Sequence, residues 1–436
     1  PGSSLFSRGM VAALSCMAAS ALFAPSRVGK LTMVSPFESD NVHIPELIAT
    51  AARISRRGFG ILAADESVPT AGKRLKTVGV ENTAENRRAF RELLFTAEGL
   101  EDYISGVILF DETMYQRTAG GERFVDCLSR RGILVGTKLD TGLRLIAGTE
   151  GETRTGGLDG LGDRVCEYRK DGATFAKWRA VFKIGHAGVP SDRAIRENAQ
   201  SLARYASICQ EHGLVPIVEP ELTLGPGDYS IGRAAFESER VLSHVMRAIN
   251  EAQVVPEAML LKPSMVLPGL DAPLGESARE SVATHTAKVL KRTVPPAVPG
   301  VHFLSGGMGA EEATQNLQQL QHEYPDAPWS LSFSYGRALQ DAVLKAWSGL
   351  EENVPAAQAR RGAPGGPHKL VSARFSTDQA LLLELARVNA QAQLGEWDEV
   401  HPTPSSGGLS AGRILLPKLS YSSERPKTRA ADLFNW

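Results

Sequence analysis

Charged residues recur two apart inside otherwise apolar runs: Lys138 with Asp140, Lys177 with Arg179, and Glu219 with Glu221, while Asp65 and Lys262 close two further runs. Residues i and i+2 of a strand share a face, so both members of each pair would point the same way. Charges among apolar neighbours are costly unless they neutralise one another, so the set predicts acids and bases gathered around a polar ligand. Lys262 follows Met259-Leu260-Leu261 and precedes Pro263. Burial there favours a neutral, nucleophilic amine able to attack a ketone and form a Schiff base. The same position also suits a lysine that only pairs with Glu219 or Glu221.

A second chemistry is written in small residues, hydroxyls and one guanidinium. Ser305-Gly306-Gly307 and Ser334-Tyr335-Gly336-Arg337 each follow an apolar run. Glycine lets backbone N–H groups approach a phosphate closely, and arginine can bind one through two parallel hydrogen bonds. Ser67, Lys73, Arg74 and Lys138 could meet a second phosphate, although Lys73-Arg74 could equally be an exposed helix face. The nine histidines include no HExxH and no clustered ligand pair, so no metal site is expected, and His302 reads as a packed core residue. No GxSxG elbow supports a serine hydrolase.

These residues need strands to carry them, and eight runs of apolar or β-branched residues can be counted: 58–65, 103–110, 133–140, 175–182, 214–221, 257–264, 300–307 and 329–336. Segments with helical periodicity lie between most of them, including 83–96 behind the cap-like Asn82-Thr83, 193–213, 237–251, 276–293 and 310–324. Alternation of strand and helix implies right-handed crossovers and a parallel sheet. Eight strands favour closure into an α/β fold of the (β/α)8 TIM-barrel type, and no glycine-rich nucleotide fingerprint follows the first run. In that fold reacting groups stand at the C-terminal ends of strands, and the last two loops commonly cradle phosphate, which is where the residues above fall.

The chain of 436 residues is long enough for such a barrel with additions, and 48 Lys+Arg against 49 Asp+Glu leave a net charge of −1. That balance argues against a nucleic-acid-coating protein. Four scattered cysteines without a CxxC exclude a zinc ribbon or a dense disulfide scaffold. Residues 1–36 contain no acid, and the apolar stretch from Met10 to Ala24 is shorter than a membrane span but matches a signal-peptide core. Phe23-Ala24-Pro25 and a basic, hydroxyl-bearing stretch follow, so the leader is similar to the bipartite plastid presequence of algae with secondary plastids. The expected organisation is therefore a presequence over 1–42, a catalytic barrel over 43–360, a Gly/Pro-rich insertion over 361–377, a helix over 378–397 and a tail over 398–436. Plastid stroma is the expected compartment, with cytoplasm as the alternative and no membrane association after processing.

With these residues in view, the chain from about Ile48 to Trp397 resembles the class I fructose-bisphosphate aldolases. The resemblance rests on 60–67 (GILAADES), 106–110 (GVILF), 171–179 (DGATFAKWR), 215–221 (VPIVEPE), 260–265 (LLKPSM), 303–307 (FLSGG) and 333–340 (FSYGRALQ). It implies a metal-independent cleavage that needs no cofactor, with Lys262 as the Schiff-base lysine. Glu219 would be the acid/base for dehydration and Asp65 the base for the C4 hydroxyl, with Lys177 and Glu221 tuning them. Arg179 and Lys138 would help to hold one phosphate, and Ser305, Gly306, Gly336 and Arg337 the other; Ser334 is grouped with the latter. A phosphorylated sugar substrate and a homotetramer are likewise implied. The chain departs from the family pattern at Thr141, where a lysine is common, at Val68-Pro69-Thr70, in the stretch 361–377 and in ending on Trp436 rather than tyrosine. A transaldolase-like enzyme and a non-catalytic scaffold for cytoskeletal partners are the competing readings. Two phosphate-handling clusters argue against the first, and the intact Lys262, Glu219 and Asp65 against the second.

Overall fold

A computed structural model describes residues 41–185, 188–223, 227, 229–272, 278–349 and 377–397. Residues 1–40, most of the insertion and the tail from 398 lie outside the described residues, so the leader and tail expectations meet no structure.

Among the described residues ten strands form in chain order: β1 Gly60–Ala64, β2 Ile104–Leu109, β3 Leu134–Lys138, β4 Leu143–Leu145, β5 Thr153–Thr155, β6 Phe175–Lys183, β7 Val215–Thr223, β8 Leu260–Leu261, β9 Gly300–Phe303 and β10 Ser330–Tyr335. Eight of them close a parallel barrel in the order β1-β10-β9-β8-β7-β6-β3-β2, and β4 and β5 make a separate antiparallel hairpin. Each expected run carries one barrel strand. The sixth is much shorter than expected: Pro256–Ala258 is a 3-10 turn and only Leu260–Leu261 pair as strand, because the two prolines at 256 and 263 bracket the segment and remove backbone donors. The hairpin is absent from the sequence reading, since each of its strands is only three residues long, too short for a period to show.

Strand alternation divides the apolar residues between two clusters. Leu62, Val107, Val135, Trp178, Val218, Leu261, Phe303 and Phe333 pack outward against the helices. Ile61, Ala63, Ile108, Phe175, Val215, Ile217 and Leu260 form a second cluster with Ile44, Leu47, Ala51 and Ile54 of the helix Ile44–Ile54. That amphipathic helix closes the floor of the barrel with apolar side chains, and the charged residues follow two positions further along the same inward faces. The helix Thr377–Leu394 buries Leu382, Leu385 and Ala386, and its Asn389 and Gln393 bond Thr314 and Ser330. It is thus an integral part of the barrel's outer layer.

Phe175 fills the interior through glycines on neighbouring strands. A Cβ added at Gly136 would sit 2.1 Å from the Phe175 ring, which is fully buried. Gly136→Ala is therefore expected to destabilise the fold by about 1–3 kcal/mol or more through overpacking. Denaturant unfolding checks this: the double change Gly136→Ala with Phe175→Leu should recover part of the loss, and no recovery would place the strain elsewhere.

Candidate active site

The inward charges converge above the apolar floor. Register sets Arg179 beside Glu219, and Leu260 and Leu261 beside Ile217 and Val218, so Lys262 emerges next to Glu219. The Lys262 N–H donates to the Val218 carbonyl at 2.8 Å, which fixes its backbone although the strand proper has ended. Lys262 Nζ lies 3.2 Å from Glu219 Oε1. Lys177 Nζ lies 3.0 Å from Glu219 Oε2 and donates to Asp65 Oδ2 at 2.7 Å. Lysine, carboxylate, lysine and carboxylate thus form one buried chain, with Lys262 and Glu219 each 3% exposed.

Burial alone would raise the Asp65 carboxyl, but Lys177, Lys262 and Lys138 together hold it below the usual carboxylate range. Burial would likewise discharge Lys177, yet Asp65, Glu219 and Asp140 hold its ammonium well above the ordinary lysine value. Asp65 is therefore an ionised base at neutral pH and Lys177 a fixed cation. Arg179 pairs with Glu221 through Nε, and Lys138 Nζ stands 3.4 Å from Asp140 Oδ1. Burial opposes the charge on Glu221 and on Arg179, but each partner keeps the other ionised.

The phosphate-type residues sit on the same rim. Ser334 faces inward between Phe333 and Tyr335, which pack outward, and its Oγ is buried without a hydrogen-bond partner among the described residues. Gly336 caps the helix Arg337–Trp347, and Arg337 is exposed. Ser305 is buried, and a Cβ on Gly306 would meet Leu304 at 2.9 Å and Glu221 Oε1 at 3.3 Å, so only glycine leaves this approach open. Ser67 caps the helix Val68–Lys76 and shares a hydrogen bond of 2.9 Å with Thr70. Lys73 is exposed on that helix.

Arg74 follows Lys73 on the same helix. Its guanidinium binds Glu66, Gln340 Oε1 at 3.3 Å and Asp341 Oδ1 at 2.8 Å, and its Nε is buried without a hydrogen-bond partner among the described residues. Glu66, Arg91 and Gln340, which make up this knot, were not singled out in the sequence. A signal was present, since Arg91 interrupts an apolar helix face between Phe90 and Leu93-Leu94 and is only 5% exposed. His302 is a core residue as expected; its Nε2 lies 3.2 Å from Ser55 Oγ and burial holds its pKa down to about 4. Among the described residues no group of three or more His, Cys, Asp and Glu could hold a metal ion, and no helix is long and apolar enough to cross a membrane.

A closed parallel barrel whose strand ends present a buried lysine beside a carboxylate, an ionised aspartate and a glycine-lined rim has the layout of a (β/α)8 enzyme, with its charged groups gathered at the C-terminal ends of the strands. The family model for class-I fructose-bisphosphate aldolase matches residues 46–362. The chain belongs to that glycolytic family. It is 57% identical over 314 residues to fructose-bisphosphate aldolase 4, cytosolic, of Arabidopsis thaliana, covering 72% of this chain and 79% of the relative. To the cytoplasmic isozyme of Spinacia oleracea it is 55% identical over 373 residues, 86% of this chain and 96% of the relative. Among solved structures it is similar, with a TM-score of 0.74 and 45% identity over 81% of this chain and 95% of the other, to fructose-bisphosphate aldolase from Plasmodium falciparum in complex with TRAP and a small-molecule inhibitor. The chain is a fructose-bisphosphate aldolase, a carbon–carbon lyase acting on a phosphorylated sugar.

Proposed function

We propose that the cleavage runs through a Schiff base on Lys262, and the observation that carries this reading is the 3.2 Å contact between its amine and Glu219 inside a buried site. Lys262 Nζ hands one proton to Glu219 and attacks the C2 carbonyl of open-chain fructose 1,6-bisphosphate, a second N–H proton passes to the carbonyl oxygen to make the C2 hydroxyl, and Glu219 returns the first proton to that hydroxyl, which departs as water. The resulting iminium is an electron sink. Asp65 takes the proton of the C4 hydroxyl, the C3–C4 bond breaks, and its electron pair enters the enamine instead of an unstabilised carbanion. Glyceraldehyde 3-phosphate leaves, and protonation and hydrolysis of the enamine release dihydroxyacetone phosphate. Lys177 stays charged throughout and stabilises both carboxylates, while Glu221 with Arg179 sets the field on the far side of the site.

One phosphate meets Ser305, Gly306, Ser334, Gly336 and Arg337, and the other Ser67, Lys73, Arg74, Lys138 and Arg179. The unpartnered Ser334 hydroxyl supports the first assignment, because a buried donor without an acceptor is costly unless a ligand supplies one. The reading is tested by borohydride reduction with dihydroxyacetone phosphate in the presence of a chelator. One equivalent bound at Lys262 supports it, and activity without any trapped adduct would sink it.

For the compartment, the cytosolic and cytoplasmic names of similar relatives favour cytoplasm, and plastid import has the acid-free leader in its support. A reporter fused behind residues 1–39 separates them by where its signal accumulates. The resemblance also implies a homotetramer, and Phe236, 61% exposed on the helix Ile231–Glu251, is an apolar side chain of the kind that oligomers cover. Sedimentation of the processed chain measures its mass directly.

A further inference from the structure

Prolines interrupt the sheet where the charged site is built. On β7, Pro220 separates Glu219 from Glu221, and just beyond β8 Pro263 follows Lys262. The ladder between these strands pairs Ile217 with Leu260 and Val218 with Leu261, and the Lys262 N–H then donates to the Val218 carbonyl at 2.8 Å. In a parallel ladder the next rung would run from the N–H of residue 220 to the Lys262 carbonyl, and proline has no N–H to give. A side chain takes over from there. The Ser264 hydroxyl donates to the Leu222 carbonyl at 3.2 Å and accepts from the Leu222 N–H at 3.1 Å. One serine, two positions after Lys262, thus holds both backbone groups of the residue that follows Glu221. On the other side the Leu304 N–H donates to the Pro263 carbonyl at 3.1 Å, which ties the same segment to the chain leading into Ser305.

We propose that Ser264 is a positioning residue of the aldolase reaction. Its hydroxyl splices the Lys262 segment to the end of β7 across the gap left by Pro220, and so sets the amine against Glu219 and fixes the backbone that carries Glu221. Lys262 then lies between two ties to β7, its own N–H at Val218 and the serine at Leu222. Without the second tie, a small rotation of the Lys262 peptide is carried along its long side chain to Nζ, which must stay 3.2 Å from Glu219 Oε1. Met265, Val266 and Leu267 are buried, and the Val266 N–H donates to Thr286 Oγ1 at 3.0 Å, so the chain beyond Ser264 keeps its place without the hydroxyl. Its loss should therefore disturb the site and leave the barrel folded. The inference rests on the roles proposed above for Lys262 and Glu219.

The test compares Ser264→Ala, Ser264→Cys and Ser264→Thr with the unmodified full-length chain. Adduct formation with dihydroxyacetone phosphate is stopped by borohydride at successive times, and turnover is followed on fructose 1,6-bisphosphate. Alanine should slow adduct formation and lower kcat, each by about ten- to a hundredfold, because small errors in the placement of reacting groups are expensive. The final adduct should still reach one equivalent. Cysteine, similar in shape but a weak hydrogen-bonding group, should behave like alanine, whereas threonine keeps the hydroxyl and should restore most of the rate. Inhibition by inorganic phosphate, which reads the phosphate grip alone, should be the same in every variant. A lowered melting temperature with adduct rate and kcat unchanged would overturn the proposal. So would phosphate inhibition that weakens in step with the rate, which would put the hydroxyl on the phosphate, or a cysteine variant as fast as the unmodified chain, which would leave only side-chain volume at work. Should the alanine variant fail to fold, cysteine against threonine reads the same contrast. Absence of any adduct in the unmodified chain would sink the Schiff-base reading, and the kcat values of the variants would then decide the role of Ser264.

Discussion

Lys262→Met should leave a folded protein that neither cleaves fructose 1,6-bisphosphate nor is labelled by substrate and borohydride. Methionine has nearly the volume of the lysine stem, so packing changes little. Glu219, the partner that loses a cation, keeps Lys177 at 3.0 Å and is not left as an isolated buried charge. The chemistry has no such reserve. On the proposed mechanism there is no iminium without the amine, and a drop in kcat on the order of 10⁵–10⁶-fold is expected, comparable with removing the nucleophile of other covalent catalysts. If Lys262 served only as an ion-pair partner, the pattern would reverse, with stability lost and turnover kept. Lys177, the other buried lysine among the described residues, is no substitute nucleophile: Asp65, Glu219 and Asp140 overcome the effect of burial and keep its nitrogen protonated. Peptide mapping of the reduced adduct decides between them, and label on any lysine other than 262 in the unmodified protein refutes the assignment.

The parts of this site that could be read from sequence are those governed by the two-residue period of a strand. Lys177 with Arg179 and Glu219 with Glu221 fall on one face wherever the strands pair, so their convergence needed no tertiary detail. Lys262 was legible for a different reason, being a single charge at the end of an apolar run. The Arg74 knot was not, because Lys73-Arg74 looks the same in sequence whether it faces a phosphate, solvent or a carboxylate on another element. What decides is the helix Arg337–Trp347, which brings Gln340 and Asp341 to it across more than 260 residues of chain. The floor helix Ile44–Ile54 presents a similar case: its amphipathic pattern shows that one face is buried, and only barrel closure makes the strand interior its partner. The sixth strand was overextended because apolar character continues through Pro256 to Met265 while hydrogen-bonded pairing occupies two residues.

Lys177→Met tests how the buried charges hold one another. The substitution removes an ammonium from between Asp65 Oδ2 at 2.7 Å and Glu219 Oε2 at 3.0 Å. Breaking a buried pair from one side costs about 3–5 kcal/mol, because the remaining charge stays desolvated. The effect has a pH signature with a definite sign. In the native protein Asp65 is held below its ordinary value, so its contribution is present above the unfolded pKa of about 4 and fades as pH falls through the lower folded value. Lys177 is held above its ordinary value, so its contribution is present below about 10.4 and fades as pH rises through the higher folded value. For this pair, native stability should thus be level between about pH 5 and 9. In the variant the largest cationic influence on Asp65 is gone and burial, which raises the carboxyl, is opposed only by Lys262 and Lys138. To the extent that burial then prevails, folding takes up a proton and the variant grows more stable as pH is lowered. Urea midpoints between pH 5 and 9 should therefore be flat for the native chain and rise toward acid for Lys177→Met, with turnover reduced by about 10²–10⁴-fold because a protonated Asp65 cannot accept the C4 hydroxyl proton. Parallel stability profiles with turnover intact would mean that Lys177 neither holds Asp65 ionised nor serves the reaction through it.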